Sequence, residues 1–346
     1  GGAYRWRIGR ESQVLLAMDV EKTRDMNANL HAGLEGSIAR TVTNVSWYYP
    51  ERFGDNAVRV RQVDETNEKW HWSDWQWLRK DRPSAPFTLT EVFTRQSITS
   101  VIASYAVAGF EHILPRGTDH ILFILGIFLL STRMRPLLWQ VTMFTVAHTI
   151  TLGLSINGVI ELPARIVEPL IALSIVFVAV ENIVGGRIGW SRVAVVFGFG
   201  LLHGLGFASV LGEFGLPEAT FVAALVGFNV GVEVGQLFVI GLMFLFIWQA
   251  LRIDRGANEA GRGLAIYLAL LVSAVALSVL NPSALVDALE NPVWIFGAPL
   301  AALFALCMAS IQLRDQLDAF RRLVAIPASL AIAAVGTYWV IERVFL

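Results

Sequence analysis

The sequence has almost no cysteine and, for its length, little charge. Cys307 is the single cysteine among 346 residues. It lies in a late apolar stretch, which excludes an internal disulfide and any zinc site built from thiolates. Charged residues make up 16% of the chain, against about 25% in an ordinary soluble domain. The net charge is −1, so a nucleic-acid partner is not expected. No leader is visible ahead of the charged opening, which leaves a removed leader or missing upstream residues open. What the chain has instead is apolar sequence: 55% hydrophobic residues and a mean hydropathy of +0.57. That balance points to the membrane.

The charge is spread unevenly. Of the 55 Lys, Arg, Asp and Glu residues, 27 fall within residues 1–95, as do six of the eleven tryptophans. Strand-like alternation runs through "YRWRIGR", "SQVLLAMDV", "SIARTVTNVSWYYP", "NAVRVRQVD" and "KWHWSDWQW", separated by turn signals such as Tyr49-Pro50 and Gly54-Asp55. Residues 1–95 therefore read as a small β-rich domain with a linker, and residues 96–346 as an all-α polytopic membrane bundle. His31 carries no signal, and His71 among the tryptophans reads as structural.

Apolar runs cover 118–130, 137–156, 165–184, 193–212, 221–248, 264–280, 293–311 and 323–341. A helix needs about 20 residues to cross a hydrocarbon core, so seven or eight spans are expected, the first of them broken. Run 118–130 is too short alone. Residues 98–114 must extend the crossing or re-enter the membrane, with Pro115-Arg116-Gly117 as the break. Arginines at 133, 135, 187, 192, 252, 255, 262, 314, 321 and 322 occupy alternate connections. By the positive-inside rule those connections are cytoplasmic, so both termini and the polar domain lie outside.

Charge next to apolar sequence is costly, and "GFEHILPRGTDHILFILGIFLL" crowds Glu111, His112, Arg116, Asp119 and His120 against it. His148, His203 and Glu233 fall near the middles of later runs, Glu233 one turn beyond Asn229. An ionisable group at the bilayer centre costs roughly 3 kcal/mol on insertion scales. A lone histidine in an apolar helix more often makes a helix–helix hydrogen bond than a metal bond. Four histidines with Asp119 and Glu233 across several spans favour a shared site instead. Imidazole and carboxylate together suit nickel, cobalt or zinc, and Asp119 could also orient a ligating histidine. The glycines near His203 (Gly198, Gly200, Gly204, Gly206) read as close-packing contacts. Glu111 reads equally well as a solvated boundary charge.

"HILPRGTDHILFILGIFLL", "FTVAHTITL", "VEPLIALSIVFVAVEN", "FGLLHGLGFA" and "FNVGVEVGQ" resemble, in order, the signature blocks of the HupE/UreJ membrane proteins. The likeness is closest to the longer subgroup with an extracytoplasmic domain ahead of the helices. It implies a permease of the bacterial inner membrane for a divalent transition metal, nickel first with cobalt or zinc possible, with His112, Asp119, His120, His148, His203 and Glu233 as candidate metal ligands. His112 is followed by isoleucine, where the shorter hydrogenase-linked members have proline. That departure bears on nickel as the cargo more than on the presence of a metal site. Two other functions use the same residues: a zinc-dependent intramembrane hydrolase, and a non-transporting subunit that meets other membrane subunits through its Trp-rich domain. The expected partners are a divalent metal ion, the lipid bilayer and, in the last reading, such subunits.

Overall fold

The computed structural model describes the backbone of residues 97–130, 132–160, 162–185, 190–213, 220–315 and 318–345, with side chains throughout except at 207–213. Ahead of these it describes short stretches at 2–8, 12–18, 35–38, 44–47, 56–58, 61–64, 69–73, 76–78 and 83–88. The chain divides into two units, one formed mainly by Gly1–Ser97 and the other by the helical remainder. In the first, Gly2–Ile8 pairs antiparallel with Ser12–Met18, which pairs with Arg61–Asp64, which pairs with Lys69–Trp72. Most residues between these strands lie outside the description, His31 among them, so the β-rich domain expected there stays a proposal.

Among the described residues, the second unit consists of helices and their connections. Its helices are α1 (Ile98–Ile113), α2 (Thr118–Leu130), α3 (Met134–Ile156), α4 (Ala164–Val184), α5 (Trp190–Glu213), α6 (Phe221–Asp254), α7 (Ala260–Leu280), α8 (Ser283–Leu289), α9 (Trp294–Gln312) and α10 (Ile326–Phe345), the last entered through a π-helical turn at Arg321–Ala325. Six are long and apolar enough to cross a membrane: α3, α4, α6, α7, α9, and α10 with its π turn. α1 and α2 pass the same test together but bend by 72° at their break. The described apolar part of α5, Trp190–Gly206, is shorter. The helices stop where the sequence permits. Gly185 closes α4 at φ 89°, its N–H bonded to the Glu181 carbonyl. Asn281 closes α7 in the left-handed region, and its side-chain oxygen accepts the Val293 N–H at 2.8 Å, tying α7 to the start of α9.

The connections sort to two ends of the bundle. Arg192 at the start of α5 pairs with Glu181 at the end of α4. Arg255 reaches Thr132 at 3.3 Å, Arg321 donates to the Ile183 carbonyl at 3.3 Å, and the Phe320 N–H donates to Asp254 at 3.1 Å. These contacts gather the arginine-bearing connections at one end. At the other, Arg343 late in α10 donates to the Glu168 carbonyl early in α4 at 3.0 Å.

α6 shows how the core is organised. Gly227, Gly231 and Gly235 recur every four residues and face α1: a Cβ on Gly227 would meet the Ile102 carbonyl, one on Gly231 the Ala106 carbonyl, and one on Gly235 the Ile113 side chain. The contacts advance together along both helices, so α1 and α6 run parallel at backbone contact, a small-residue packing common between membrane helices. Gly109 of α1 completes the seam against the Phe228 carbonyl. On another face Val222, Val226, Val230, Val234 and Phe238 are 47–70% exposed, an apolar stripe that suits lipid and would be unusual in water.

Gly231→Ala should destabilise the protein by about 1–3 kcal/mol, the range for an overpacked core. Gly241→Ala, on the same helix with open space at its Cβ position, should cost nothing. Thermal unfolding in detergent compares the two. Equal melting temperatures would mean that α1 is not seated on α6 in this way.

Candidate metal centre

Four helices bring four histidines together. His112 is in the last turn of α1 and His120 in the first turn of α2. His148 lies on α3 and His203 near the middle of α5. His120 is the hub: its ring centroid is 4.8 Å from that of His112, 4.8 Å from that of His203 and 6.0 Å from that of His148. His120, His148 and His203 are at most 3% exposed, and His112 and Asp119 are half-buried. Ligand atoms of His112, His120 and His148 all lie within 4.8 Å of one another, and so do those of Asp119, His120 and His203. Two groups of three therefore overlap at His120.

Packing explains the convergence. A Cβ on Gly204 would run into the Thr151 hydroxyl and the His148 carbonyl, and one on Gly200 into Phe144 and Ala147. Only glycine lets α5 come this close to α3, and the approach carries His203 to His148. Gly206 likewise packs on Ile171, whereas Gly198 has open space. The α1–α6 seam does the same for His112, whose ring lies 5.6 Å from Phe228.

Hydrogen bonds then set which way each ring faces. His120 Nδ1 lies 3.1 Å from the Asp119 carboxylate, which also accepts the His120 main-chain N–H at 2.8 Å. His148 Nδ1 lies 3.0 Å from Asn229 Oδ1. The Asn229 amide N–H donates to the Leu225 carbonyl at 2.8 Å, so its oxygen is the atom turned to the ring. His203 Nδ1 donates to the Phe199 carbonyl at 2.9 Å. All three partners only accept, so in the neutral ring the proton sits on Nδ1 and Nε2 carries the lone pair. The Nε2 atoms of His120, His148 and His203 are buried and make no hydrogen bond among the described residues. Ring nitrogens oriented from behind by a carboxylate, an amide or a carbonyl are the usual arrangement of metal-binding histidines.

Glu233 belongs to neither group. Its carboxylate accepts hydrogen bonds from Thr142 at 2.8 Å and from Thr145, one turn along α6 from Asn229. Glu111 pairs with Arg116 at 3.2 Å, and Arg116 also makes two hydrogen bonds to Glu290, at 2.9 and 2.8 Å. Asn182 serves packing, donating to the Gly126 carbonyl at 2.8 Å and to Ser329 at 3.2 Å. The sequence reading gave Asn229 no role at the site. Its one signal was a polar amide at the depth of the histidines.

If Asn229 orients His148 as a ligand, Asn229→Leu should weaken divalent-metal binding about 10–100-fold, the usual cost of losing such a partner. Calorimetric titration of the purified protein with nickel or cobalt measures it. Unchanged affinity in a folded Asn229→Leu variant would remove His148 from the site.

Neither a curated protein nor a solved structure matches the chain. A family model described as HupE / UreJ protein matches residues 88–281. The match covers more than half of the sequence, runs from before α1 to just past α7 and includes every histidine of the cluster. The chain is a multi-pass membrane protein and belongs to the HupE/UreJ family.

Proposed function

We propose that the protein is a permease that moves a divalent transition-metal ion across the bacterial inner membrane, nickel first, with cobalt or zinc as alternatives. The observation that carries this reading is the set of three buried Nε2 atoms on His120, His148 and His203. A buried polar atom left without a partner forfeits about 1–3 kcal/mol, and the membrane interior supplies no bulk water in compensation. A borderline divalent cation is the natural acceptor for such nitrogens, with Asp119 to balance charge. Membership of the HupE/UreJ family supports the same reading.

In this account the arginine-bearing end faces the cytoplasm. Eight spans then cross, counting α1–α2 as one broken span and including α5, while α8 is a surface helix. Both termini and the β-rich domain of residues 1–95 lie outside. The cation arrives at the Pro115-Arg116-Gly117 break, with His112 before it as the first docking point. The amino-terminus of α2 carries partial positive charge and by itself repels a cation; Asp119 in the first turn reverses that field. The Arg116 charge is matched by Glu290 and Glu111, so it does not bar the approach. Protons compete for the same nitrogen lone pairs, so occupancy falls as the pH is lowered.

Uptake into proteoliposomes tests the proposal. Asp119→Asn keeps shape and hydrogen-bonding reach but removes the charge, and should lower the rate about tenfold or more at equal protein, by analogy with losing a ligand or its orienting partner. Undiminished uptake of nickel, cobalt and zinc by that variant would rule out the entrance described here. Stoichiometric metal in the purified wild type without any flux would favour the zinc-dependent hydrolase.

Orientation has a separate check in a Cys307→Ala background. An impermeant thiol reagent applied to intact cells should label the Val159→Cys variant, between α3 and α4, and spare Asn258→Cys, between α6 and α7. The reverse pattern would invert the topology.

A further inference from the structure

Beyond the histidines, toward the arginine-bearing end, the two sides of α3 differ. On the side shared with α2 and α5, each histidine is followed one turn inward by a phenylalanine. Phe123 is three residues after His120, Phe144 four before His148, and Phe199 four before His203. Their rings meet, Phe123 lying 5.1 Å from Phe144 and 5.8 Å from Phe199, and Phe144 packs on His203 at 5.0 Å. This layer offers an ion no lone pair.

On the side shared with α6, oxygens continue. Thr145 is three residues from His148, and Glu233 is four residues from Asn229, steps of about 4.5 and 6 Å along their helices. The Thr142 and Thr145 hydroxyls both donate to the Glu233 carboxylate, and Thr145 also lies 3.0 Å from Gln236 Oε1. Thr145 and Gln236 are buried, 8% and 1% exposed. Glu233 is half-buried in the middle of an apolar span and has no cationic side chain paired with it among the described residues. Two neutral hydroxyls compensate a carboxylate in such a place only in part. A cation would complete the compensation.

We infer that Glu233, Thr142, Thr145 and Gln236 form a second cation site, lined by oxygen and separate from the histidine cluster, on which a divalent ion rests after leaving His148. Its place in a path rests on the transport reading above; its existence as a site does not. The chemistry suits the order. Oxygen ligands hold nickel or cobalt less firmly than imidazole does, so the ion passes from a tight site to a looser one nearer the exit. Conduction needs such a site, favourable enough to enter and weak enough to leave.

Manganese(II), which prefers oxygen ligands, is the probe, read by electron paramagnetic resonance. In a His148→Ala/His203→Ala background the purified protein should still bind one manganese ion. Adding Glu233→Gln should weaken that binding about tenfold or more, the usual effect of removing a principal ligand or its support, and Thr145→Val should weaken it less. Glu233→Asp, which keeps the charge, should retain part of it. In the otherwise wild-type protein, Glu233→Gln should leave nickel affinity within about threefold, under 1 kcal/mol, while uptake falls about tenfold. The site is overturned if the double-histidine variant binds no manganese, if Glu233→Gln leaves that binding unchanged, or if Glu233→Gln costs as much nickel affinity as His148→Ala. A wild-type protein that moves no metal would defeat the transport reading and leave the manganese titration to decide the site.

Discussion

A neutral imidazole has two ring nitrogens and one proton, and the whole arrangement turns on where that proton goes. In three histidines it points away from the cluster, toward a carboxylate, an amide oxygen or a main-chain carbonyl. What remains at the centre is a set of buried lone pairs. Such a set is a poor hydrogen-bond network, because none of its members can donate to another through Nε2. The same lack of donors is what the proposed cation site rests on. The outer partners are themselves held, Asn229 through the Leu225 carbonyl and Asp119 through the His120 main-chain N–H, so the ring orientations do not depend on a bound ion.

The packing serves this centre. α6 presents three kinds of surface along its length: glycines to α1, polar groups to α3 and an exposed valine stripe on a third face. The glycines seat α1 at backbone contact and so carry His112 inward. Glycines of α5 do the same for His203 against α3. The bend between α1 and α2 then turns His112 and His120 toward each other across a short irregular stretch. Irregular backbone at this depth needs partners. The break finds them in the Leu114 N–H, which donates to the Phe110 carbonyl at 2.9 Å, and in the Gly117 N–H, which donates to the Ile113 carbonyl at 3.1 Å.

Much of this was legible in the residues. The shortness of run 118–130 already required a further apolar helix ahead of it, and α1 is that helix, passing the length and composition test together with α2 across a 72° bend. Alternating arginines sorted the connections, and Arg255, Arg321 and Arg192 are found tying one end together. Four histidines and Asp119 at similar depth indicated one centre. Depth alone, however, does not say which face of a helix meets which neighbour. Glu233 has the depth of the histidines, yet it faces Thr142 and Thr145 instead, a choice made by the seam between α3 and α6. Thr145 was invisible for a related reason. A threonine in an apolar helix normally bonds back to the carbonyl four residues earlier, as Thr149 does to Thr145 at 2.7 Å, so nothing in its spacing marks it as a partner of Glu233. The phenylalanines one turn from His120, His148 and His203 were readable as spacings, but their meaning needed the helices side by side. Within residues 1–95 most of the described strands fall on the alternating stretches, while most residues between them lie outside the description.

The central claim is that buried imidazole nitrogens bind a metal ion. X-ray absorption at the nickel edge, on protein loaded with one equivalent of nickel, tests it most directly. Imidazole rings scatter in a recognisable way, and the account predicts at least three of them around the ion, with no sulfur, and fewer in the His148→Ala and His203→Ala variants. A shell of oxygen alone, or a spectrum that neither substitution changes, would contradict it.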